Sequence, residues 1–99
     1  MELVSNSRWI SALRSSKYTQ GQFLVDERKR TLCAFAVLAV ESGYLILDDN
    51  FAIVKYEQEA FATAAVKALG AKMIGVILCA NDDGSKSFDQ IATMIEELV

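Results

Sequence analysis

Few groups in this chain could do chemistry. They are two acidic pairs (Asp48-Asp49 and Asp82-Asp83), two cysteines (Cys33 and Cys79) and a basic triplet, Arg28-Lys29-Arg30. If folding brought the carboxylate pairs together, they could hold a divalent cation or act as an acid/base couple. Spacing alone does not join them, and each pair reads first as a solvated turn. Histidine is absent. That removes the usual general base near neutral pH, the usual zinc ligand and any Ser-His-Asp or Cys-His site. No glycine-rich phosphate loop of the G-x-x-x-x-G-K-[ST] or G-x-G-x-x-G kind occurs. Placing Gly84 at the sixth position of a calcium loop puts Cys79 first and Gln90 twelfth, where oxygen ligands and a bidentate Glu are required. The expectation is therefore no metal, no cofactor and no catalytic residue.

What remains is binding. Arg28, Lys29 and Arg30, with Arg14, Lys17 and Tyr18, have the types needed for an anion site facing a nucleotide phosphate or an acidic partner. As separate residues they are ordinary solvated charges. Trp9 reads as a core anchor, or else as the wall of a pocket or interface. Asn81, Asp82 and Asp83, followed by Gly84, form a strong turn signal that could serve as a polar recognition loop.

These residues sit in a chain of 99 residues, enough for one globular domain over 1–99 with one modest core. The apolar share is 53%, above the usual level, and much of the excess is alanine, a helix former. Net charge is −3, so general nucleic-acid binding is disfavoured. The high apolar share for so short a chain also suits a homo-oligomer. Both cysteines lie in apolar runs and are expected to be buried free thiols. No signal-peptide pattern or membrane-length apolar run occurs, and the expected location is the cytoplasm.

The elements follow from periodicity and punctuation. Helix 1 is expected after Ser5 or Asn6, with Trp9, Ile10 and Leu13 on its apolar stripe. Phe23–Val25 reads as a short extended run before a tight charged loop over residues 26–30. Leu32–Val40 is apolar almost throughout, and its alanines and Gly43 favour a central helix of about ten residues. Residues 44–47 and 51–56 form a hairpin around Asp48-Asp49-Asn50. Glu57–Leu69 is a helix stopped by Gly70. Lys72–Ala80 is open between strand and helix. Ser87 and Gln90 form a capping box opening a final helix with Phe88, Ile91, Ala92, Ile95 and Leu98 on one face. The fold class is α+β: a helix-dominated small domain of four to five helices with a short antiparallel hairpin or small sheet.

Three stretches carry a resemblance. The first is Trp9-Ile10-Ser11-Ala12-Leu13-Arg14-Ser15-Ser16-Lys17-Tyr18-Thr19-Gln20-Gly21. The second is Cys33-Ala34-Phe35-Ala36-Val37-Leu38, and the third runs from Asn81 through Phe88 to Ile95-Glu96. Their order resembles that in a group of small phage and prophage proteins of unassigned activity. The second stretch departs from the group, with Ala34 in place of a second Cys and Ala36 in place of Gly. The resemblance implies a phage accessory protein acting in the host cytoplasm. Its partner would be a host protein or complex, and the effect could be inhibition of a bacterial defence system. The rival readings are a nucleotide-type small-ligand binder and, last, a metal-dependent hydrolase built on the Asp pairs. No membrane role is expected.

Overall fold

The computed structural model describes residues 2–22, 24–82 and 86–98. Five helices and two small antiparallel hairpins follow one another in the order α1 (Asn6–Arg14), β1 (Val25–Asp26), β2 (Thr31–Leu32), α2 (Ala34–Ser42), β3 (Leu45–Leu47), β4 (Ile53–Tyr56), α3 (Gln58–Leu69), α4 (Ala71–Asp82) and α5 (Phe88–Leu98). The expected helix-rich α+β class is the class observed.

Helix α2 is the centre. Ala34 to Ala39 are all buried, which is why this helix has no polar face. It begins two residues later than the sequence suggests, because Leu32 belongs to a strand. Leu32 pairs with Val25, and its backbone also bonds to Thr19 and Gly21. The Sγ of Cys33 caps α2 by accepting from the Ala36 amide at 3.4 Å. At the other end Gly43, at φ 83°, closes the helix in the left-handed region, donating to Ala39 and Val40 carbonyls.

Helix α1 starts at Ser5, whose hydroxyl accepts from the Arg8 amide. It packs mainly on α5 and also on α2. Trp9 is fully buried, meets the Phe35 ring in a tilted contact at 5.5 Å and donates its Nε1 proton to the Ala34 carbonyl at 3.0 Å. Ile91 and Ile95 of α5, Leu38 of α2 and Ile77 of α4 complete a contiguous core. Burial of each such aliphatic side chain stabilises by about 1.5–3 kcal/mol. The capping box of α5 forms as its sequence pattern implies. The Ser87 hydroxyl accepts from the Gln90 amide at 3.2 Å, and Gln90 Oε1 accepts from the Ser87 amide at 2.9 Å.

The chain departs from the sequence-based expectations in three places. The charged loop is the turn of a second hairpin, β1–β2, with Asp26 accepting from the Lys29 amide and Arg30 at φ 56°. The open segment 72–80 is helix, so the strand alternative falls. Gly75 is tolerated because it lies on the exposed side of α4, where an added Cβ would meet nothing within 4 Å. The same exposure corrects the reading of Cys79, which is exposed while Cys33 is buried. Apolar neighbours in sequence placed both cysteines inside; the helical turn puts Cys79 on the outer side.

Candidate functional site

The basic residues proposed for binding are divided among different partners. Arg14 bonds to Glu96 at 2.5 Å and to Thr93 at 3.1 Å, and pairs with Asp89 at 3.7 Å, tying α1 to α5. Glu96, at the unfavourable end of the α5 dipole, is thereby neutralised, and the Arg14 hydrogen bond holds its carboxyl below the usual range. Lys17 pairs with Glu41 at 3.4 Å and lies over the Tyr18 ring at 5.2 Å. The Tyr18 hydroxyl also donates to Glu41, and Arg8 pairs with it at 3.4 Å. Glu41 is therefore a hub that the sequence reading missed. Hydrogen bonding from Tyr18 and the two nearby cations hold its carboxyl low, while burial and the Glu41 contact push the Tyr18 phenol up. Arg28, Lys29 and Arg30 are exposed on the β1–β2 turn, with Arg30 Nη1 reaching the Asp49 carbonyl at 3.4 Å.

Asn81 is neither a turn tip nor a surface residue. It lies in the last turn of α4 and is 2% exposed. Its Nδ2 donates to the Gly21 carbonyl at 2.9 Å and to Asp82 Oδ1 at 3.0 Å. Its Oδ1 accepts from the Ala34 amide and from Gln20 Nε2, both at 3.2 Å. Every donor and acceptor position of the amide is used. Gln20 extends the network by donating to the Lys86 carbonyl and accepting from the Phe88 amide, each at 2.8 Å. This cluster ties the 20–22 segment, α2, α4 and α5 together. The helix thus runs through two residues of the expected turn, and Asp83 and Gly84 lie outside the described residues.

Asp48, Asp49 and Asp82 belong to no group of metal-ligating side chains among the described residues, and Asp83 lies outside them. Asp48 Oδ1 accepts from the Asn50 and Ala52 amides within its own turn, and Asp82 lies at the end of α4. Among the described residues no group of three metal-ligating side chains occurs. Trp9, fully enclosed, serves as the core anchor.

The feature that sequence reasoning missed is an apolar groove. The chain turns through 109° between α3 and α4, at Gly70, so the two helices form a V. Within it lies an open cavity of about 300 Å³. Its floor is Cys33, Phe35 and Tyr56, and its walls are Phe61, Ala65 and Val66 from α3 with Ile74 and Leu78 from α4. Phe61 anchors α3 by contacting the rings of Tyr44 and Tyr56 at 5.6 and 6.4 Å. Val66 is 53% exposed, Val76 42% and Leu78 37%. Between Gln58 and Asp82 the only charged residues are Glu59, Lys67, Lys72 and Asp82. Burial raises the pKa of the Cys33 thiol on the groove floor, so it is a weak nucleophile and serves as a helix cap. A visible signal existed: the exposed positions of α3 include Ala60, Ala62, Thr63, Val66 and Ala68, with Glu59 and Lys67 its only charges, fewer than an ordinary surface helix carries.

The chain matches no protein-family model, no curated protein and no solved structure. Among the described residues no single helix is long and apolar enough to cross a membrane.

Proposed function

We propose that this protein acts by binding another protein, with the α3–α4 groove and its exposed aliphatic lip as the docking surface. The observation that carries the reading is the pairing of an open 300 Å³ apolar cavity with Val66, Val76 and Leu78 left in water on the same two helices. A contiguous apolar surface rimmed by polar residues is characteristic of protein–protein sites. The groove offers no nucleophile–base pair and no histidine, which favours recognition over bond-making. The resemblance to small phage proteins supports a host macromolecule as the target, a defence component among the candidates.

The test is site-specific cross-linking. A photoreactive side chain at Leu78, activated in host cells, is expected to give a discrete protein adduct identifiable by mass spectrometry. Val66→Asp, at an exposed position, should abolish the adduct while circular dichroism stays unchanged. An adduct of undiminished yield in that variant, or no protein adduct from the folded chain, would overturn the reading.

A further inference from the structure

We propose that the polar cavity between the 20–22 segment and the β1–β2 hairpin binds a small zwitterion of the free α-amino-acid type. This site is separate from the α3–α4 groove and shares no lining residue with it.

The cavity measures about 260 Å³ and is lined by Gln20, Gly21, Gln22, Asp26, Lys29 and Thr31. Asp26 and Thr31 are partners across the two strands, so their side chains stand on one face, about 5 Å apart at Cβ. Thr31 is 8% exposed, yet its hydroxyl has no hydrogen-bond partner among the described residues. Among those residues no side-chain polar atom sealed from solvent lacks a partner, so this hydroxyl opens onto the cavity. The fold gains nothing from it: valine has a similar shape and no polar atom to desolvate.

The free bonding positions specify the ligand. Gln20 is engaged by Asn81, Lys86 and Phe88, and the Gln22 amide nitrogen donates to the Asp82 carbonyl at 2.6 Å. Asp26 Oδ1 accepts from the Lys29 amide at 3.1 Å. Three acceptors are left, Gln22 Oε1, Asp26 Oδ2 and Thr31 Oγ1, with one cation, the Lys29 ammonium, which forms no ion pair among the described residues. Three acceptors match the three protons of a primary ammonium, and the Asp26 carboxylate balances its charge. Lys29, exposed at the rim, suits the carboxylate of the same molecule. One negative and one positive side chain make a neutral site, which fits a zwitterion and disfavours a phosphate dianion. A single carboxylate is too few for a divalent cation.

The frame is set before a ligand arrives. The Gly21 amide donates to the Leu32 carbonyl and the Gly21 carbonyl accepts from Asn81 Nδ2, both at 2.9 Å. The cavity wall is thereby pinned to β2 and α4, so binding needs little further ordering of the chain.

The experiment is an amide NMR titration of the isotope-labelled full chain with each of the common free L-amino acids. Concentrations up to about 10 mM cover the millimolar Kd expected of so small a ligand. At least one amino acid should shift the amides of residues 20–22 and 26–31 and leave those of α3 in place. Its N-acetyl derivative and its carboxamide should each bind about tenfold more weakly, and inorganic phosphate should give no shift at this site. Asp26→Asn keeps the Oδ1 that caps the turn but removes the charge, and should weaken binding by about tenfold. Thr31→Val should weaken it by about three- to tenfold while the melting temperature stays unchanged or rises. No shift at these amides from any amino acid would overturn the proposal, since the cavity would then hold water only. Equal binding of the N-acetyl derivative, or of phosphate, would overturn it by removing the charge match. So would a Thr31→Val protein that melts lower and binds as well as the parent, because the hydroxyl would then serve the fold alone.

Discussion

Helices α5 and α4 have nearly the same length and similar apolar content, yet the fold treats them differently. On α5 the apolar residues fall on one stripe, and Phe88, Ile91, Ala92 and Ile95 are buried against α1. Its polar side is held by Arg14 across to Asp89, Thr93 and Glu96. On α4 only Ile77, Ala80 and Asn81 are buried, and Val76, Leu78 and Cys79 face outward. Hydrophobic content is therefore a poor guide to which helix belongs to the core. Phase around the helix decides: α5 concentrates its apolar residues on one side, whereas α4 carries them all round and has only one side covered. The first arrangement is a finished interior and the second leaves a surface available for use.

That contrast can be tested by substitution. Ile91→Ala, at a fully buried position, should cost about 2–5 kcal/mol in denaturant unfolding, while Leu78→Ala on the groove lip should stay within about 0.5 kcal/mol. Equal effects would mean that α3–α4 is as tightly built into the fold as α5. Asn81→Ala should cost about 2–3 kcal/mol, because it leaves the Ala34 amide and Gly21 carbonyl without their partner. A near-neutral result would show that the polar staple at the end of α4 is dispensable. Gly21→Ala should cost about 1–3 kcal/mol, since the new Cβ would lie 2.1 Å from Thr31 Oγ1 and the β2 segment would have to move.

Smaller effects sharpen the same line. Thiol labelling of the native protein should modify Cys79 rapidly and Cys33 only on unfolding, giving one reactive thiol per chain before denaturant and two after. Protection of both would place the outer side of α4 under cover. The Glu41 hub gives a pH signature. Its carboxyl is held below the ordinary range in the fold, so its contribution is present above the unfolded value near 4.3 and is lost as pH falls through the folded value. The decline in melting temperature from about pH 5 downward should therefore be shallower in Glu41→Gln. An identical acid limb in the two proteins would remove Glu41 from the account.

Some of this was readable in the residues themselves. The Ser5 cap, the Ser87–Gln90 capping box, the Gly43 stop and the stripe on α5 are local patterns, fixed by backbone groups within one turn of each other. The all-round apolar character of residues 32–40 correctly marked the central helix, though not its first residue, because Leu32 pairs across the chain with Val25. Segment 72–80 stayed open between strand and helix because short apolar runs carry no distinguishing period.

The composition and local signals of the chain determined that it would be a helix-rich α+β protein, and they show that it has no histidine. Only the tertiary structure decided what each polar residue would do. Asn81 and Gln20 became a buried staple and Glu41 an ion hub, because their partners come from 23 to 68 positions away in sequence. It alone also left the α3–α4 groove open, since whether an apolar helix face is covered depends on the angle at which the next helix leaves. The bend of 109° is made where Gly70 takes φ 85° and ψ 150°, and whether the helix faces on either side of it are covered depends on the rest of the packed molecule.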